Sequence, residues 1–201
     1  MGTDIRELDR RAVLRSVRIV DGLKPDQLDA PTPCGNWTLR ELLAHMIAQH
    51  NGFAAVAGGE IEDLSVWTNP PIGADPAAEY AAAAERVIAA FAAEGVLDSR
   101  FWLPEIRDGG LFPATMGISF HFVDYVVHGW DVAAALGMPS DFDEDLLLGA
   151  LEVAKVVPTG AARLAPGAAF GPEVSLSDNP STLDRLLGQL GRAADWQSRS
   201  A

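Results

Sequence analysis

One cysteine, two lysines and four histidines in 201 residues leave this chain little material for several common kinds of protein. The single thiol, Cys34, has no second cysteine with which to form an internal disulfide. Basic residues are scarce: 15 Lys and Arg face 28 Asp and Glu, a net charge of −13. No Lys/Arg cluster escapes that average, so a nucleic-acid backbone is not an expected partner. No apolar run approaches the ~20 residues of a membrane-spanning helix. The N-terminal MGTDIRELDRR places Asp4 and Arg6 where a secretory signal needs an apolar stretch, and Arg6 stands where a myristoylation motif wants Ser or Thr. There is no P-loop, no GxGxxG following a strand and no GxSxG. The expectation is a cytoplasmic protein with no membrane and no nucleic-acid partner.

What is present is ordinary for a globular domain: 48% apolar and 21% charged residues, enough to bury one core. Residues 1–201 therefore read as a single domain. Apolar periodicity predicts a first helix from Asp4 to Val20. A proline-bearing connection follows, and then a sharp helix start. Thr38 is the N-cap, Glu41 completes a capping box three residues on, and Trp37 and Leu42 are spaced as a hydrophobic staple. This second helix runs to about Val56 and stops at Gly58-Gly59. Asp75-Pro76 opens a third, stopped by Gly95. The fourth spans Ala114 to Leu136 and closes at Gly137. A shorter fifth covers Glu144 to Val157. The tail is expected to hold a short strand near Glu173–Ser177 and a helix opened by Asn179-Pro180 that closes around Gly191. Residues 96–113 carry two prolines and a glycine pair and have no clear period. The pattern as a whole is that of an all-α, four-helix bundle with additional short C-terminal elements.

The chemistry concentrates in FHFVDYVVHGWD. At about 100° per residue, His121, Asp124 and His128 fall within roughly 60° of one another on a helix otherwise built from Phe, Val, Tyr and Trp. Burying three such groups without partners costs several kcal/mol each, so something must satisfy them. On the second helix, His45 shares a side with Leu42, Gln49 and Val56 and points to the core. His50 lies about 140° away, toward solvent or the bundle flank. Asp124 and His128, one turn apart, have chelating spacing. With His45 they supply two imidazoles and a carboxylate, a set that leaves a divalent ion an open position and suits catalysis better than structure. His121, one turn earlier, can be a fourth ligand or a base facing substrate; the axial span of about 10 Å from His121 to His128 favours the base. Asp131 follows on the same face and can accept a hydrogen bond from a ligand imidazole. The plainer alternative is that lone core histidines are usually just hydrogen-bonded, and that an Asp–His pair needs no metal. Cys34 precedes a helix N-terminus, where a thiolate is favoured, but an isolated thiol is usually inert.

The segments TPCGNWTLRELLAHM, HFVDYVVHGWDVAAALG and LLGQLGRAADW resemble the actinobacterial DinB-like proteins, and within them the metal-binding domain of mycothiol-dependent maleylpyruvate isomerase. The dominance of Arg over Lys, 13 against 2, agrees with a GC-rich source of that kind. The resemblance implies a DinB-like four-helix bundle with one divalent metal, zinc or nickel. Its ligands are a His on the second helix and a carboxylate-x-x-x-His pair on a later one, here His45, Asp124 and His128. The isomerase has Glu where this chain has the shorter Asp124, and a separate C-terminal domain that this chain is expected to be too short to hold.

Three functions follow. One is a metal-containing transferase or isomerase in which a low-molecular-weight thiol such as mycothiol attacks a small electrophile. The others are a metal-dependent hydrolase with His121 or Asp131 shuttling protons, and a metal-binding module without turnover. A small-molecule thiol and substrate are the expected partners, and a homodimer is compatible with each.

Overall fold

The computed structural model describes residues 3–60, 63–106, 109–164, 168 and 170–197. Besides four short 3₁₀ helices, the described residues form six α-helices and one two-stranded hairpin: α1 (Ile5–Val20), α2 (Leu39–Ala57), α3 (Pro76–Phe91), β1 (Arg100–Leu103), β2 (Gly110–Pro113), α4 (Ala114–Leu136), α5 (Glu144–Ala154) and α6 (Thr182–Gln189).

Local sequence sets the helix starts. Asp4 caps α1 by accepting from the Arg6 amide. Thr38 and Glu41 exchange hydrogen bonds as a capping box at the head of α2, as their spacing predicts. Asp75 caps α3, with Pro76 in the first turn where its missing N–H costs nothing. α4 ends at Gly137, whose φ of 66° is a left-handed conformation that glycine adopts without strain. Two boundaries differ from expectation. α5 stops at Ala154, short of Val157, and α6 is capped by Ser181 in a box with Asp184 and not by Asn179.

The four long helices close a ring in which α1 packs on α4, α4 on α2, α2 on α3 and α3 back on α1. This is the expected all-α bundle. Its interior is filled by Leu39, Leu42, Leu43 and Met46 of α2 and by Phe122, Tyr125 and Val126 of α4, all inaccessible to solvent. A second apolar cluster joins Phe53, Trp67 and Phe91 to Phe101, Leu103 and Phe112 of the hairpin. Gly52 is required there, because a Cβ at that position would stand 2.3 Å from the Trp67 ring.

The hairpin occupies the segment that periodicity left unplaced. β1 and β2 pair antiparallel from Arg100↔Pro113 to Leu103↔Gly110, and the Ala114 amide bonds Ser99 to lock the exit into α4. The expected strand at 173–177 does not form. That stretch has no regular structure and lies against α6, with a hydrogen bond from the Val174 amide to the Gly188 carbonyl. Among the described residues, no helix is long and apolar enough to cross a membrane.

Candidate metal centre

α2 and α4 present His45, Asp124 and His128 to one another across the bundle. One donor atom from each lies within 4.8 Å of the others. His128 Nε2 stands 3.3 Å from Asp124 Oδ1, and the His45 and His128 rings meet edge-on with centroids 5.4 Å apart. Donors about 2.1 Å from a tetrahedral ion are roughly 3.4 Å apart, so the His128–Asp124 spacing already matches and His45 needs only a small inward shift. Two imidazoles and a carboxylate are a donor set that zinc and similar divalent ions accept. Trp37 packs on His45, ring centroids 4.9 Å apart, and walls one side.

A buried ionic chain fixes the His128 ring. Its Nδ1–H donates to Asp131 Oδ2 at 3.0 Å, which leaves Nε2 free to face Asp124 and His45. Asp131 is fully enclosed and in turn accepts from Arg192 at 3.1 Å. Burial alone pushes the Asp131 carboxyl up, but the Arg192 guanidinium and the His128 N–H outweigh it and hold the group below its usual range. Arg192 also donates to the Leu190 carbonyl and approaches the Cys34 sulfur at 3.4 Å. Burial and the negative Asp131 and Asp124 push the Cys34 thiol up to about 11 despite Arg192, so it is a neutral thiol. Cys34, His128 and Asp131 also converge, but the guanidinium already occupies the space a cation would need.

The electrostatics favour a cation between the two helices. Burial and the neighbouring His128 lower His45 to about 4, so it is neutral and ready to donate a lone pair at pH 7. For His128, burial pulls down, but Asp124 and Asp131 prevail and raise it.

His121 is not brought to this place. It is completely buried one and two turns away along α4. Its Nδ1 pairs with Asp9 of α1 at 2.6 Å and its Nε2 with His50 Nδ1 at 3.1 Å. Phe53, Phe91 and Tyr125 surround its ring. The expectation of a base facing substrate beside Asp124 and His128 is therefore corrected: a shared helical angle does not overcome the axial offset, and both ring nitrogens are taken. His50 is corrected too. It faces neither solvent nor flank but is fully enclosed, stacked on Tyr125 at 3.9 Å. Burial, and then His121 and Arg86, hold it well below the usual histidine range, so it is neutral. Its Nε2 has no hydrogen-bond partner. The chain thus runs one way, from His50 Nδ1–H to His121 and from His121 Nδ1–H to the Asp9 carboxylate, and ends in a bare acceptor, which is less costly than a bare N–H.

Two polar residues near the centre were given no role by the sequence: Gln49, placed only on the face of His45, and Glu105. Gln49, one turn beyond His45, is buried, and its Nε2 donates to Glu105 Oε1 at 3.1 Å. Glu105 belongs to the β1–β2 connection. The residue as a whole is exposed; partial burial of the carboxyl, and then Asp124, push it up, while Gln49 and His128 pull it down by less. The coincidence of Gln49 with the His45 face was the available signal; Glu105 had none.

Residues 10–133 match the family model of the mycothiol maleylpyruvate isomerase N-terminal domain. Two uncharacterized proteins of Mycobacterium tuberculosis, from strains CDC 1551 / Oshkosh and ATCC 25618 / H37Rv, are each 31% identical over 175 residues, 87% of this chain and 90% of theirs. Among solved structures, the mycothiol-dependent maleylpyruvate isomerase superposes with a TM-score of 0.54 at 15% identity, and a mutant of it with 0.53 at 14%. The alignment with the isomerase covers 75% of this chain and 66% of that one, and shows the shared helical fold. With a family model spanning all of α2, α3 and most of α4, the chain belongs to the mycothiol maleylpyruvate isomerase N-terminal domain family.

Proposed function

We propose that residues 1–201 form a single metal-binding domain acting as a thiol-dependent enzyme of transferase or isomerase type on a small electrophile, with mycothiol as the thiol. The observation that carries this reading is the convergence of His45, Asp124 and His128 on one point, with three donors and no fourth among the described residues. These residues would hold a divalent ion, zinc first and nickel second. When bound, the ion supplies Lewis acidity that lowers the pKa of a thiol at the remaining position. His45 contributes a neutral imidazole at pH 7, and Asp124 contributes the charge. Asp131 holds the His128 ring in the tautomer that turns Nε2 inward, and Arg192 pairs with Asp131 from behind. Neutral Cys34 is not the nucleophile, so an external thiol is needed for thiol chemistry. The family supports that thiol; the substrate and a cytoplasmic site of action belong to the same proposal.

The test is reconstitution. Purified protein freed of metal and titrated with zinc is expected to take up about one ion per chain. The cobalt-substituted form is expected to change its visible spectrum on adding mycothiol and to turn over members of an electrophile panel that includes maleylpyruvate. A spectrum indifferent to thiol would overturn thiol dependence, and turnover without thiol would move the assignment to a hydrolase.

A further inference from the structure

The proposed chemistry needs somewhere for the thiol proton to go, and the groups first expected to take it are committed elsewhere. Both ring nitrogens of His121 are engaged by Asp9 and His50. Asp131 is locked between His128 and Arg192. Asp124 is itself a proposed ligand. The remaining carboxylate near the centre, among the described residues, is Glu105, and its placement is built. The hairpin that carries it packs on both α2 and α4, the two helices that present the donors. Phe101 and Leu103, just before Glu105, are sunk in the second apolar cluster. Gln49 rises one turn, about 6 Å, above His45 on the same face of α2. From there its amide donates to Oε1 at 3.1 Å, and among the described residues none donates to Oε2. The carboxyl lies close enough to feel both Asp124 and His128.

Resting on the thiol-dependent reading above, we propose that Glu105 is the proton acceptor of the site: its free carboxylate oxygen takes the S–H proton of the incoming thiol and keeps it until the thiol leaves. The step balances. The S–H bond breaks with its electron pair left on sulfur, a new O–H bond forms on Glu105, and no oxidant or further reactant is required. Proton return to sulfur at the end of the cycle restores the carboxylate. Gln49 is a positioning residue: by holding one carboxylate oxygen it leaves the other to take the proton.

The proposal is tested by counting protons. Titration calorimetry of zinc-loaded protein with mycothiol, repeated in buffers of different ionisation enthalpy, reports the protons released to solvent per thiol bound. Retention by Glu105 predicts release near zero for the natural protein and about one for Glu105→Gln, which has nowhere to hold the proton. Gln49→Leu is expected to fall between, because the carboxylate remains but is no longer held. Zinc affinity should change by less than about threefold in Glu105→Gln, since the ligands are untouched. Equal proton release by the natural protein and Glu105→Gln would overturn the proposal. So would loss of zinc in Glu105→Gln, which would make Glu105 a ligand. Failure of mycothiol to bind the natural zinc-loaded protein at all would instead sink the thiol-dependent reading itself.

Discussion

The pair Asp131–Arg192 allows stability and metal affinity to be separated by substitution. Asp131 is wholly enclosed and Arg192 nearly so, and their ion pair joins α4 to the chain just after α6. Asp131→Asn leaves the guanidinium buried without its counter-charge, a situation that costs about 3–5 kcal/mol. Arg192→Met leaves the opposite charge and should cost a similar amount. The double variant removes both charges, so its loss should fall short of the sum of the singles by at least about 2 kcal/mol. Metal affinity should follow different logic. Asp131 is bonded to His128 Nδ1, so weakening that acceptor is expected to reduce affinity by about 10–100-fold. Arg192 touches no proposed ligand, and Arg192→Met should change affinity by far less.

The measurements are urea denaturation of the metal-free proteins followed by circular dichroism, and zinc competition against a chromophoric chelator. Two results refute the reasoning. Additive losses in the double variant would mean the buried pair is not coupled. Equal loss of zinc affinity in Arg192→Met and Asp131→Asn would mean that the tail, and not the hydrogen bond to His128, shapes the centre.

Other substitutions probe neighbouring links. His128→Ala should abolish stoichiometric zinc binding while His50→Ala retains it, as read by metal analysis after gel filtration; retention by the first variant would reject the ligand set. Thr38→Ala removes a capping-box acceptor and should cost about 1 kcal/mol in urea denaturation without altering zinc affinity; parallel loss of both would show that the cap shapes the site. His50 is held neutral when folded but titrates near 6.5 when unfolded, so below that pH the unfolded state binds the extra proton and stability falls with pH. Metal-free His50→Phe should therefore lose less stability on acidification below about pH 6.5 than the natural protein; identical pH slopes would show that His50 is not neutral in the fold.

The bundle was legible because its signals are local. Thr38 with Glu41, Asp75 with Pro76, and Gly137 each act within one turn, and the apolar periods between them describe helices that packing then confirms. The hairpin was illegible for the converse reason. Arg100 to Leu103 is too short to display a period, and its pairing with Gly110 to Pro113 is decided by burial of Phe101 and Leu103 against α2 and α4. The stretch at 173–177 has a strand-like composition but lies against a helix, where no ladder is available.

The histidines show where angular reasoning succeeds and where it fails. For His45, Asp124 and His128, the wheel put the groups on facing sides of α2 and α4, and one donor atom of each lies within 4.8 Å of the others. For His50, the wheel assumed that α2 has one buried side. In fact α3 and α4 both pack on α2 and the hairpin covers more of it, so a residue 140° from the core-facing stripe is still interior. That enclosure explains the fate of His121. A buried imidazole must find partners, and those within reach are His50 and Asp9, an acidic residue whose angular position on α1 falls inside the apolar stripe of Ala12, Val13 and Val20. Asp9, at 1% exposure, has its carboxyl pushed up by burial against the opposing pull of His121. The four histidines are therefore divided between two tasks: His45 and His128 around an open donor set, His50 and His121 in a closed chain that ties α1, α2 and α4 together. Only long-range pairing makes that division, and no spacing within one helix can reveal it.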